Sequence, residues 1–302
     1  MTVLEGIQKS AEFLAKKDVE SARLQAELLL AHVLQLPRMK LYLNFERALT
    51  EGETSTFRDL VKRRSQREPL QHIIGSTSFC GLEISVNRHV LVPRPETEIL
   101  AELGWQWLGE HRTSNIEHRT PNAPTALDFG TGSGCIAIAL AAKCLNAKIT
   151  ALDVSAEALE VAQQNAVRNN VADRIEFIQA NGLNELAARW GERTREPIQF
   201  NLIISNPPYI PTAEIETLDP EVRDYDPRSA LDGGPDGLDF YRRFAVEARD
   251  FLKADGKIML EFGDGQADSI RRIFEAQNWI VEAIREDYTQ RQRILIANYN
   301  HG

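Results

Sequence analysis

The chain has 302 residues, a hydrophobic share of 43% and a formal net charge of −9, the profile of one large or two modest folded domains. The acid excess argues against a broad basic face that grips bare nucleic acid. Cys80, Cys135 and Cys144 form no CxxC pair and share no ligand spacing with the six histidines, so no metal site is expected, and an odd cysteine count without a disulfide pattern fits a reducing cytoplasm.

The N-terminus carries acids and no long apolar run, so neither a signal peptide nor a membrane span is expected. The first 66 residues read as helical. From Ser21 to Leu36 the positions Leu24, Leu28, Leu29, Val33 and Leu36 build a wide apolar face, with Arg23, Gln25 and Glu27 opposite. Ser21 is the expected N-cap. A second, charge-rich helix is expected from Thr50 to Gln66, closed by the Pro69 region. Between 70 and 92 the character changes. Ile73, Thr77, Phe79, Leu82, Ile84, Val86, Val90 and Val92 are spaced like strands with Gly75 and Gly81 as punctuation, which predicts a hairpin linker. Pro93-Arg94-Pro95 stops it, and Glu96 to Trp107 reads as a helix. Residues 111–124 are polar, end in prolines, and read as a surface loop.

From Thr125 onward strands and helices alternate. Strands are expected at Ala126–Phe129, Lys148–Leu152, Ile175–Gln179, Phe200–Ser205, Lys257–Phe262, Trp279–Arg285 and Arg293–Ala297. Helices are expected at Cys135–Lys143, Ala156–Asn169, Leu238–Leu252 and Gln266–Gln277. Such alternation means a mainly parallel sheet covered on both faces. Only Glu286 to Gln292 join the last two strands, too short for a covered crossover, so these should pair antiparallel.

Leu127-Asp128-Phe129-Gly130-Thr131-Gly132-Ser133-Gly134 follows a short apolar run and opens a helix. Glycines at alternate positions permit a tight turn and close approach of a ligand to the backbone. Asp153 ends the next strand, where doubly wound folds set an acid against ribose hydroxyls. The pattern is GxGxG and not the dinucleotide GxGxxG. A carboxylate before the glycines disfavours a pyrophosphate at the helix N-terminus. Asp128 suits a ligand with an ammonium group, such as the methionine part of S-adenosylmethionine.

Ile203-Ile204-Ser205-Asn206-Pro207-Pro208-Tyr209 is the most specific feature. Two prolines after an apolar strand end it and fix the loop. The Asn206 side-chain oxygen and the Pro207 carbonyl can then accept from the two protons of a planar NH2 group, with Tyr209 stacking on a flat amide or base. Catalytic roles are expected for Asn206, Pro207 and Tyr209, and Pro208 belongs to the same substrate contact. An amide nitrogen is a poor nucleophile, so orientation and electrostatic alignment must supply much of the barrier reduction.

These residues resemble the HemK/PrmC family, the protein-(glutamine-N5) methyltransferases of peptide-chain release factors. Ser21-Ala22-Arg23-Leu24 with Ala26 to Leu30 is similar to that family's helical N-terminal domain, and Arg67 to Gln71 with Gly75 to its connector. Val92 to Glu98, Asp128 to Gly134, Asn206 to Tyr209 and Glu261-Phe262-Gly263 with Gln266 complete the likeness. The resemblance implies a Rossmann-like seven-stranded S-adenosylmethionine-dependent methyltransferase sheet. It implies a helical, release-factor-binding domain over 1–69, a β-hairpin linker over 70–92 and the methyltransferase domain over 93–302. It further implies that Gly130, Thr131, Gly132, Ser133, Gly134, Asp153 and Asn206 contact S-adenosylmethionine, and that Asn206 to Tyr209 hold the glutamine of a Gly-Gly-Gln loop.

Two positions depart from the family pattern. Where an acid and a large apolar residue stand near the adenine, this chain has Asn181-Gly182; Asn181 can bond the adenine edge and Leu183 is expected to replace the missing wall. Asp287 to Arg293 lacks the family's glycine, which concerns only a turn. Two other readings stay open from the residues alone: a DNA or RNA amino methyltransferase, whose exocyclic NH2 offers the same donors, and a non-catalytic S-adenosylmethionine-dependent module of the translation machinery.

Overall fold

A computed structural model describes residues 1–114, 123–193 and 198–299, in two units: 1–76 with 218–225, and 77–217 with 226–302. The first contains α1 (Val3–Ala15), α2 (Ala22–Leu34), α3 (Arg38–Leu41), α4 (Glu51–Ser65) and α5 (Leu70–Ile74). Thr2 and Thr50 each close a capping box with a glutamate three residues on, Glu5 and Glu53, a device worth about 1 kcal/mol per helix. Ser21 precedes α2 but does not cap it. Its backbone is left-handed (φ 49°), whereas a capping side chain needs an extended backbone to reach the free N–H groups. Ile7, Leu14, Leu29, Leu30, Leu41 and Phe57 fill the core of this unit. The segment 70–74, expected to be extended, is a helical turn that places Ile73 in that same core. The first unit therefore runs past residue 69. It also takes in the single turn after Leu218, where Glu221 meets Arg64 and Arg67 at 2.6 Å each.

The second unit opens at Thr77, within the hairpin of β1 (Ser76–Phe79) and β2 (Leu82–Ser85), and continues with α6 (Pro95–Ser114). The helix outlasts the expected end at Trp107, because an apolar pattern marks only the buried part of a helix; residues 111–114 are helical rather than loop, and 115–122 lie outside the described residues. There follow β3 (Thr125–Phe129), α7 (Cys135–Lys143), β4 (Lys148–Asp153), α8 (Ala156–Arg168), β5 (Ile175–Gln179), α9 (Leu183–Arg193), β6 (Phe200–Ser205), α10 (Pro220–Arg223, in the first unit), α11 (Asp239–Glu247), β7 (Leu252–Glu261), α12 (Ala267–Glu275), β8 (Trp279–Glu286) and β9 (Gln292–Tyr299). The helix expected over 238–252 ends early. A 3-10 turn over Ala248–Phe251 follows it, and β7 starts at Leu252.

The seven strands lie in the order β5-β4-β3-β6-β7-β9-β8, parallel except for β9, which runs antiparallel to both β7 and β8 as its short connection requires. Leu100, Ile136, Ile138 and Leu140 cover one face, from α6 and α7. Leu186, Phe244, Ile270 and Phe274, from α9, α11 and α12, cover the other. Each such side chain contributes roughly 1.5–3 kcal/mol on burial. The turn between β8 and β9 manages without glycine: Gln290 takes φ 63°, and Asp287 accepts hydrogen bonds from the Thr289 and Arg291 N–H groups. Among the described residues no helix is long and apolar enough to cross a membrane, and no cluster of three or more metal-ligating side chains occurs.

Candidate active site

The chain runs outward through β3, β4 and β5, then returns to β6 on the other side of β3. A crevice opens at such a reversal, beyond the carboxyl ends of the strands. Leu127 pairs with Ile203 and Asp128 with Ile204, so the glycine loop and the Asn206 loop leave the sheet side by side. Both line one cavity.

The glycine loop is tied at both ends. The Gly130 and Thr131 N–H groups donate to the Leu152 carbonyl at 2.8 and 2.9 Å, and the Asn165 side chain donates to the Ser133 carbonyl at 2.9 Å. Gly134 (φ 80°) allows α8 to come close: a Cβ there would stand 3.0 Å from that of Ala162. Asp128 lies beneath the loop and is not among the residues that line the cavity, and one of its carboxylate oxygens has no hydrogen-bond partner. Its side chain is turned to the start of α7, where one carboxylate oxygen accepts from the Thr131 hydroxyl (2.6 Å) and the Ala137 N–H (3.0 Å). Burial pushes its carboxyl up to about 7.

Asp153 does stand on the wall. Its two oxygens accept from the Gly132 N–H at 2.8 Å and the Ser155 N–H at 3.0 Å, and each keeps a further lone pair. Asn181 and Gly182 are also on the wall, Asn181 exposed and its N–H donating to Glu185 at 2.9 Å. Leu183 does not move in: it is 0% exposed, within the core. The apolar wall comes instead from Phe240 of α11, held by stacking on Phe244 (5.1 Å between ring centroids) and edge-on against Phe129 (5.4 Å).

Asn206, Pro207 and Pro208 line the cavity next to the glycine loop. The Asn206 side-chain nitrogen donates to the Thr97 hydroxyl at 3.0 Å, and that hydroxyl donates to the Glu261 carboxylate at 2.8 Å. Glu261 is 2% exposed. Burial pushes its carboxyl up to about 7, against the opposing effects of Thr97 and the Arg293 charge. Tyr209 departs from the stacking role expected of it. Its ring packs against the core behind the loop, and it is not among the residues that line the cavity. Thr97, Glu261 and Phe240 were given no role on sequence grounds. Thr97 and Glu261 did lie inside the runs that carried the family likeness.

Beyond Asn206 the wall continues through Arg94, whose guanidinium meets Asp226 at 2.7 Å. Burial pushes the Asp226 carboxyl up to about 6, against the opposing charge of Arg94.

The fold and this cavity define a Rossmann-like methyltransferase. Residues 5–75 match the model described as PrmC N-terminal domain, and residues 113–218 match the Methyltransferase small domain. The chain is 43% identical over 262 residues to the release factor glutamine methyltransferase of Geobacter sulfurreducens, covering 87% of this chain and 84% of the other. It is 40% identical over 294 residues to the release factor glutamine methyltransferase of Chlorobaculum tepidum, covering 97% and 96%. The crystal structure of a methyltransferase from Pyrococcus furiosus shares the fold, with a TM-score of 0.50 and 21% identity over 79% of this chain and 98% of that one. The chain belongs to the release factor glutamine methyltransferase family.

Proposed function

We propose that this protein transfers a methyl group from S-adenosylmethionine to the side-chain amide nitrogen, N5, of the glutamine in the Gly-Gly-Gln loop of peptide-chain release factors, in the cytoplasm. One observation carries the reading. The amide oxygen of Asn206, left free by the bond its nitrogen makes to Thr97, shares a cavity wall with the glycine loop and Asp153.

The residues present fit the cofactor. A Cβ built on Gly130 or Gly132 meets nothing within 4 Å, so bare backbone is open to a ligand there. Asp153 would accept from ribose hydroxyls, Asn181 would meet the adenine edge, and Phe240 would cover its face. When bound, S-adenosylmethionine supplies an electrophilic sulfonium methyl. The protein's part is to aim the nucleophile. Asn206 Oδ1 and the Pro207 carbonyl accept the two N–H groups of the glutamine amide, turning its nitrogen to the methyl group. The same acceptors stabilise the positive charge that grows on that nitrogen before its proton leaves. The helical unit is the proposed seat of the release factor body.

Mass spectrometry of a release factor after incubation with the protein and S-adenosylmethionine tests the reading. One added methyl on the Gly-Gly-Gln glutamine is expected. Methylation of nucleic acid with none on the release factor would overturn it.

A further inference from the structure

An asparagine side chain presents an acceptor at one corner and donors at the other, and turning it over exchanges them. Only one orientation of Asn206 serves a substrate that brings N–H donors. The surroundings determine which. Glu261, when ionised, can only accept. The Thr97 hydroxyl, 2.8 Å away, must therefore spend its single proton on Glu261. It is left as an acceptor toward Asn206, so the amide nitrogen, and not the oxygen, faces it at 3.0 Å. The oxygen is thereby turned toward the cavity. Thr97 and Glu261 are each 2% exposed, so water offers them little alternative.

We infer that Thr97 and Glu261 are positioning residues for the methyl transfer: the carboxylate sets the direction of the hydrogen-bond chain, and the chain holds Asn206 with its acceptor oxygen toward the substrate amide. Neither acts on substrate through its own chemistry. The inference rests on the reading of the substrate as a planar amide, and it makes Glu261 an obligatory acceptor rather than a general base. A neutral isostere at 261 removes that directionality. In Glu261→Gln the new amide can donate to Thr97, the threonine proton can pass to Asn206 Oδ1, and Asn206 can turn its NH2 to the cavity. Two sets of donors would then face each other.

The test compares Thr97→Val, Thr97→Ser and Glu261→Gln with the wild-type protein, each measured for kcat and KM on release factor, S-adenosylmethionine Kd and melting temperature. Valine keeps the shape of threonine but breaks the chain; serine keeps the hydroxyl. A misdirected acceptor costs on the order of 100-fold in kcat, and that loss is expected for Thr97→Val and Glu261→Gln. The Kd should stay close to wild type, the melting temperature reads the cost of leaving Glu261 one donor short in Thr97→Val, and Thr97→Ser should retain most of the turnover. Near-normal kcat in Thr97→Val, or equal losses in Thr97→Val and Thr97→Ser, would overturn the inference, and the threonine pair decides it even if Glu261→Gln fails to fold. Failure of the wild-type protein to methylate release factor would instead refute the reading of substrate beneath it.

Discussion

The side-chain amide of Gln266 donates to the main-chain carbonyl of Tyr209 at 2.9 Å, while its oxygen accepts the Gly263 N–H at 2.9 Å. One residue at the start of α12 thus buttresses the loop that carries Asn206 from behind. The site is crowded: a Cβ on Gly237 would fall 2.3 Å from that carbonyl and 2.6 Å from the Gln266 amide. Gly237→Ala should therefore displace the Tyr209 backbone. Gln266→Ala removes two hydrogen bonds and should cost about 1–3 kcal/mol. Both should lower kcat on release factor more than they weaken S-adenosylmethionine. Measured kcat and cofactor Kd check this; equal losses in both would place the damage at the cofactor end.

Asn206→Ala deletes the acceptor itself. Loss of one preorganised group of this kind costs about 10²–10³ in kcat. Calorimetry should show cofactor binding weakened far less, because the glycine loop and Asp153 are tied to the sheet independently of Asn206. An unchanged kcat would refute the role assigned to it.

Asp153 has two tasks, and two substitutions separate them. It braces the Gly132 and Ser155 N–H groups, and it is the proposed ribose acceptor. Asp153→Ala loses both and should raise the cofactor Kd by about 10- to 100-fold, the worth of a charge-assisted hydrogen bond or two. Asp153→Asn keeps one carbonyl acceptor and should fall between alanine and wild type. A cofactor Kd unaltered in both would show the ribose assignment to be wrong.

The parts legible in the sequence were those whose chemistry is contiguous. Gly130 to Gly134 and Asn206 to Tyr209 each announce a loop at the end of a strand, and the sheet order then sets them together. The parts that were not legible arise from elements brought together only by folding. Phe240 has no local mark of a cavity wall, and Leu183 lies nearer in sequence but faces the core. A glutamate ending an apolar strand reads as a strand end, and only the packing of α6 against the sheet reveals that Glu261 receives Thr97. The Asp128 side chain meets the start of α7 through the Thr131 hydroxyl and the Ala137 N–H, a bond to the loop's far side that no sequence spacing announces.

The raised carboxyl of Glu261 gives a pH dependence with a definite sign. Its surroundings are Thr97 and Glu96 from α6, Tyr209 from the loop, Tyr241 from α11 and Arg293 from β9. Its folded value of about 7 lies above that of an ordinary glutamate. It is ionised above that value and protonated below. Turnover should therefore fall as pH drops through about 7, as Thr97 loses its obligatory acceptor, and Glu261→Gln should lack that limb. Stability runs the other way. A raised folded pKa favours the folded protein below the ordinary carboxylate value, and the contribution is lost as pH rises through about 7. Asp128, also raised to about 7, acts in the same sense. The melting temperature of Glu261→Gln should consequently depend less on pH than that of the wild type across this window.

The role proposed for the helical unit needs a sharper test than truncation alone. Deleting residues 1–66 removes Arg64, whose side chain is 4% exposed and holds Glu221 at 2.6 Å. The deletion therefore leaves the 218–225 segment only Arg67 of its two arginine partners, as well as removing the proposed seat of the release factor. Glu221→Gln in the full chain breaks the ion pairs with Arg64 and Arg67 and leaves the helices in place, so it bounds the first effect from above. If the helices bind release factor, the deletion should raise KM for release factor well beyond the rise seen in Glu221→Gln, with cofactor Kd moving little in either. Matching KM values in the two variants would assign the whole effect to the 218–225 segment. A wild-type KM in the deletion would remove the helical unit from substrate binding altogether.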